Sequence, residues 1–310
     1  MTSARSRGQY SLLLILAMML LTERPSRAQA WIDSAGALGV GLDYSYTPST
    51  KVVQTPDLSF EDQPVIAHTV AVSAEYVPIE NLAITAQLPL LFVKYDREPS
   101  MTFPPHGRYD DGDVHATLTD LRLTARYNLL REPYVVLTPH LGFSIPVADY
   151  ETVGFATAGR GLKQLHVGAS IARTLNPWVP ELYAHLGFEF TFAERYDKTA
   201  VTEVFGQNRS DTSLQVGYFL LDGKLTFNLG GNLRLAHGNG VNFTDLATLP
   251  EDVFFYHDPL LREQFLLLGG GAGYSITDTI QVSLQARFFT WGYNTRNAHM
   301  LGLGLSWSVL

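Results

Sequence analysis

Residues 120–130 read DLRLTARYNLL. Leu121, Leu123, Ala125, Tyr127 and Leu129 fall on one parity; Asp120, Arg122, Thr124, Arg126 and Asn128 fall on the other. A helix would mix the two sets within each turn. A strand, whose side chains alternate between faces, keeps them apart. The same alternation runs through ELYAHLGFEFTF (181–192), KLTFNLGGNLRL (224–235) and IQVSLQARFF (280–289). It continues into the last ten residues, LGLGLSWSVL (301–310), where a free end would fray unless a neighbouring strand held it.

Working outward from these segments, about twelve strands are expected, near 35–46, 65–76, 82–93, 117–129, 134–147, 164–173, 181–192, 212–221, 224–236, 264–276, 279–291 and 299–310. Each has about ten to fourteen residues, whereas globular strands average about five to six. Short turns at 77–81, 130–133, 175–180, 221–224 and 277–279 alternate with polar connections near 47–64, 94–116, 148–163, 193–212, 237–262 and 292–298. An outer-membrane barrel has an even strand number, crossings of about 9–11 residues, short periplasmic turns and longer outer loops. The expected fold is therefore all-β: a membrane-spanning antiparallel up-and-down β-barrel of about 12 strands. A β-sandwich or lipocalin-like barrel would put the apolar parity inside, on shorter strands and fewer residues.

This reading accounts for the chain end. LGLGLSWSVL is the closing strand, paired with AGALGVGLDYSY (35–46) so that neither strand is left as an edge. Leu301, Leu303, Leu305, Trp307 and Val309 face lipid, with Trp307 in an interfacial belt. The final Leu310 lies off that parity, whereas barrel chains commonly end on an aromatic residue that serves assembly.

The chain has 310 residues, a formal charge of −8 and no cysteine. Disulfides, thiolate metal sites and thiol catalysis are thereby excluded. An acidic balance argues against a general nucleic-acid binder. Residues 1–30 read as a signal peptide: Arg5 and Arg7, then the apolar run SLLLILAMMLL (11–21), then the cleavage pattern AQA (28–30). Eleven apolar residues are too few for a membrane-spanning helix, which needs about 20. Removing four Arg and one Glu with this segment would leave residues 31–310 as the barrel, at (22 − 4) − (30 − 1) = −11.

An Arg on the lipid face costs about 2–4 kcal/mol at mid-bilayer, so the parity of Arg122 and Arg126 must face inward. Inward positions expected to line a pore include Glu75, Gln87, Asp120, Arg122, Arg126, His140, His166, His185, Glu189, Lys224, Arg234, Gln285 and Arg287. Two readings stay open. These groups form a polar constriction that selects small solutes, or they pair off and fill the lumen. His140, His166 and His185 fall inward on consecutive strands, as a metal site or proton-sensitive gate would require. No carboxylate is spaced as a co-ligand, so separate hydrogen-bonded imidazoles are expected, with no metal and no cofactor.

Some outer-membrane barrels are lipid hydrolases that use a membrane-facing His and Ser. Here His237, in LAHGNGVNF (235–243), has no local hydroxyl, so no catalytic residue is expected. Three other stretches read as barrel or loop features. GGGAG (269–273) lies within a strand pattern, YDDGD (109–113) reads as a solvated outer loop, and LPEDVFFYHDPLL (249–261) is the best candidate gate or plug.

TDLRLTARYNLL (119–130), followed by TPHLGFSIPVADY (138–150), resembles the strand pattern of a family of outer-membrane transporters named after the meta-pathway of phenol degradation. The terminal block 261–310 is similar to the ends of such barrels, although Ala148 stands where a Gly usually follows the Pro-Val pair. The resemblance is diffuse over roughly 117–310. It implies an outer-membrane barrel passing small molecules, hydrophobic ones included, and assigns no solute. Expected partners are outer-membrane lipid, the assembly machinery of that membrane and a small solute.

Overall fold

The computed structural model describes residues 31–61, 64–97, 107–132, 135–195, 208–250, 253–254 and 256–309. The expected signal peptide and Leu310 lie outside them.

Twelve strands close into one antiparallel barrel. They are β1 (Leu38–Ser49), β2 (Val65–Ile79), β3 (Leu82–Tyr95), β4 (Val114–Leu118 and Asp120–Tyr127), β5 (Val135–Pro146), β6 (Gln164–Leu175), β7 (Val179–Ala193), β8 (Asn208–Leu220), β9 (Leu225–His237), β10 (Gln264–Ser275), β11 (Ile280–Tyr293) and β12 (Met300–Ser308). Each pairs with its chain neighbours, and β12 closes on β1 through Val40↔Trp307, Leu42↔Leu305 and Tyr44↔Leu303. The closing strand is thus where the alternation put it. Closure gives every strand two partners, a necessity if the surroundings offer the backbone no water.

The register carries one parity outward around the ring. Leu229 is 73% exposed, Val72 58% and Leu303 55%. Similar apolar side chains stand exposed on the remaining strands, a belt far larger than the few hundred Å² of apolar patch that a soluble monomer tolerates. Trp307 is exposed on that belt near the short-turn end.

One irregularity has a local cause. Leu90 pairs with Leu118 but Gln87 pairs with Arg122, so β4 carries one residue more than β3 across this step. Pro89 has no N–H to give to the ladder, and its carbonyl accepts from Thr119 N at 3.1 Å. The extra residue lets Leu118 and Leu121 both face outward.

Buried apolar residues gather at the two ends of the barrel. At the short-turn end, Ile32 packs on Val77 and Ala83. At the long-loop end, Ala156 packs on Val65, Leu91, Val93 and Tyr95, and Leu162 packs on Val241, Val253 and Leu260. A small sheet (Thr295–Arg296, Val52–Thr55, Leu58–Phe60), a 3-10 turn (Phe243–Thr248) and one helical turn (His257–Leu260) form part of that end. From the segment 249–261, Val253 and Leu260 thus pack into this end. So does 147–163, which the sequence reading treated only as a polar connection. YDDGD is not wholly solvated either. Asp110 is fully buried and accepts from Phe155 N and Ala156 N, each at 2.9 Å, which anchors the inward loop.

Candidate functional site

The inner parity places Glu75, Asp120, Arg122, Arg126, His140, His166, His185, Glu189, Arg234 and Arg287 on the lumen side of their strands. Lys224 stands one residue before the first residue of β9. It lies in the turn before β9, where its carbonyl accepts from Ser275 N.

The inward charges concentrate on β2 to β9. Glu189 is the hub. It accepts from Arg122 Nη2 at 2.5 Å, from His140 Nε2 at 2.9 Å, and faces His166 Nδ1 at 3.1 Å. The sequence showed no carboxylate spaced for these histidines because Glu189 comes from β7, a strand that reaches them only after barrel closure. Glu75 accepts from Arg126 and from Thr85 Oγ1. Nearer the long loops, Arg234 binds Asp211 at 2.8 Å and Glu263 at 3.3 Å, Arg209 lies 3.5 Å from Asp211, and Arg160 reaches Glu263 at 3.3 Å. No group of three or more metal-capable side chains is assembled among the described residues.

Ser144 Oγ, His166 and Glu189 follow one another at 2.8 and 3.1 Å, the order of a nucleophile, base and acid. Ser144 is 6% exposed and His166 1%, both packed within the wall. A nucleophile must meet its substrate, so this chain of contacts reads as a brace.

The wall from β10 through β12 to β1 differs. Its inward positions include Gly269, Gly271, Gly273, Ser283, Gly302, Gly304, Ser306, Gly39 and Gly41. Two charges stand on it, Arg287 and Asp43, and neither side chain has a hydrogen-bond or ion-pair partner among the described residues. GGGAG is thus part of β10, as its pattern indicated.

Two spaces stand out, one against the braced wall alone and one under the long loops. A polar one of about 290 Å³ is lined by Arg122, Arg126, His140, His185, Glu189 and Asp211, among others. A second, of about 560 Å³, lies under the long loops. Its walls are Phe60, Phe155, Phe243, Leu246, Phe254 and Leu261, and Arg160, Glu263, Arg296 and Asp258 also line it. Burial pushes the Glu263 carboxyl up, but Arg234, Arg160 and Arg209 outweigh that and hold it below the usual range. Burial draws the Arg160 and Arg296 guanidiniums down. Tyr150 O–H donates to Asp120 at the root of the inward loop; burial, then that carboxylate, raise the phenol.

His237 does find a hydroxyl. Ser210 Oγ on the adjacent β8 lies 2.8 Å from its Nε2, both on the outward parity, and Phe190 stacks on the imidazole. Sequence proximity could not have found it, because the two residues are 27 apart.

No protein-family model matches the chain, and no curated protein matches it in sequence. Solved structures do match. The COG4313 outer membrane channel from Pseudomonas putida F1 superposes with a TM-score of 0.68 at 14% identity, over 92% of this chain and 100% of that one. The translocator domain of autotransporter NalP from Neisseria meningitidis gives 0.49 at 13% identity, over 97% and 94%. The CymD monoaromatic hydrocarbon channel gives 0.44 at 12%, over 89% of each. The first of these likenesses, with the closed twelve-strand ring, shows the fold: a twelve-strand antiparallel β-barrel similar to that of the COG4313 outer membrane channel.

Proposed function

We propose that this protein is a bacterial outer-membrane channel that passes small molecules through the lumen, with the short turns facing the periplasm and the long loops outside. One observation carries the reading: the lumen is lopsided. Ion pairs brace one wall while the other is mostly glycine and serine, so the second wall contributes little side-chain bulk to the lumen. A closed structural barrel would need bulk from both sides. The inward charges then act as the polar surface that solutes pass. The lead experiment is conductance in a planar bilayer. The full chain is expressed, the protein is purified from outer membranes, and folding is checked by heat-modifiable gel mobility. Discrete channels are expected; a folded barrel that never conducts would sink the reading.

A second reading, an outer-membrane lipid hydrolase, is favoured only by the Ser210–His237 contact. Ser210 is 6% exposed, and no carboxylate is paired with His237 among the described residues. Release of fatty acid from phospholipid vesicles, lost on His237→Ala, would revive it. No release is expected.

A further inference from the structure

Resting on the channel reading, we propose that the polar recess on the braced wall is a subsite for neutral, polyhydroxylated solutes of single-sugar size, held by Ser170, His185, Ser213 and Asn232.

The register sets these side chains together. Ser170 of β6 stands opposite Gly187 of β7, Gly187 opposite Ser213 of β8, and Ser213 opposite Asn232 of β9. These positions share the inward parity, and His185 lies on it too, one step nearer the short turns. All of them line one recess of about 290 Å³. That is the lower end of the range for small-ligand pockets, which suits one ring rather than a chain of them. Gly187 leaves the room: an added Cβ there would lie 2.6 Å from Ser213 Oγ. Asn232 is exposed and Ser170, His185 and Ser213 are half-buried, so a passing solute reaches them.

The state of their polar atoms decides the guest. Ser170, His185, Ser213 and Asn232 make no hydrogen bond or ion pair among the described residues. The rows on either side are committed. Towards the long loops, Glu189 and Asp211 hold Arg122 and Arg234; towards the short turns, Gln215 donates to the Tyr183 hydroxyl. The uncommitted groups are of one kind. A hydroxyl, a primary amide and a neutral imidazole each both donate and accept. A guest hydroxyl does the same, so a ring bearing several of them satisfies the row as water does. An apolar guest would exclude water and leave the four groups unmet.

Charge exerts no competing pull. Two guanidiniums, Arg122 and Arg126, and two carboxylates, Glu189 and Asp211, line the recess. An anion approaching Arg122 or Arg126 meets the carboxylate of Glu189 or Glu75 already bound there. A cation approaching Glu189 or Asp211 meets Arg122 or Arg234.

The test measures uptake of labelled D-glucose, D-glucuronate and D-glucosamine at pH 7 into vesicles carrying the purified barrel, with ion conductance recorded in parallel. Glucose uptake should saturate, at a half-saturating concentration about tenfold or more below that of the anionic and cationic sugars. Asn232→Leu and Gly187→Leu, in protein that keeps heat-modifiable mobility, should each raise the glucose value about tenfold. Glucose uptake that never saturates, or equal half-saturation by the three sugars, overturns the assignment; saturation untouched by both variants overturns the site. If neither variant folds, the three-sugar comparison on the unmodified protein still decides. A barrel that conducts ions without preferring glucose leaves the channel and removes this inference. One that neither conducts nor takes up any sugar removes the channel reading, and this inference with it.

Discussion

The two halves of the lumen wall are built on opposite plans. From β2 to β9, inward side chains are long, charged and bound to one another across strands, with Glu189 holding Arg122, His140 and His166 together. From β10 to β1 they are mostly absent. An added Cβ at Gly302 would meet Gln285 at 2.8 Å, and one at Gly304 would meet Asp43 at 2.8 Å, both movable side-chain ends. No backbone approach demands a glycine at these two positions, whereas at Gly269 and Gly271 of the same wall an added Cβ would meet the carbonyl oxygens of Ala286 and Leu284 at 2.0 and 2.7 Å. One wall is cross-braced by ion pairs and the other carries little side-chain bulk. The charges divide in the same way. Those on the braced wall pair within it, while Arg287 and Asp43 have no hydrogen-bond or ion-pair partner among the described residues.

The sharpest way to break this contrast is to add bulk to the open wall. Gly302→Trp should cut single-channel conductance several-fold in barrels that still fold; unchanged conductance would place the pathway elsewhere. Next is the brace. Glu189→Gln leaves two histidines and an arginine without their carboxylate, and removing one partner of a buried charge set costs about 3–5 kcal/mol. Denaturant titration in lipid vesicles should register that loss, whereas Asp43→Asn, which breaks no pair, should stay within about 0.5 kcal/mol. If the two variants unfold together, the walls do not differ in the way described.

Selectivity is a smaller effect. Arg287→Glu should shift the reversal potential in a salt gradient toward cations without altering unfolding, because no partner is orphaned. The mildest expectation concerns pH. The Glu263 carboxyl is held below its ordinary value of 4.5 in the folded protein, so its contribution is complete above that value and is lost as the pH falls through the lowered one. Glu263→Gln should therefore be less stable than the parent at neutral pH, with the gap closing as the pH falls through the lowered value.

How much of this was legible in the sequence follows from what a period of two encodes. It tells which side of a strand each residue takes. That sufficed for DLRLTARYNLL, for the closing strand and for the inward parity. It does not tell which residues of different strands meet, because that depends on the stagger of the closed ring. Glu189 and His140 are 49 positions apart, and nothing local linked them. Ser210 escaped notice beside His237 for the same reason. The loop 147–163 was hidden differently. Its inward turn is fixed by Asp110 from another loop, and a carboxylate that caps distant backbone N–H groups looks, in sequence, like any solvated acid.

The most direct measurement exploits the absence of cysteine from the chain. Ser283 is exposed on the inward parity of the open wall, while Ser144 is buried in the braced one. Single-channel recordings of Ser283→Cys and Ser144→Cys, before and after a bulky cationic thiol reagent, put the two walls side by side. The account expects the current through Ser283→Cys to drop sharply on modification and that through Ser144→Cys to stay unchanged, its thiol unreacted. A Ser283→Cys barrel shown by mass to be fully modified, yet conducting as before, would contradict a pathway along the open wall.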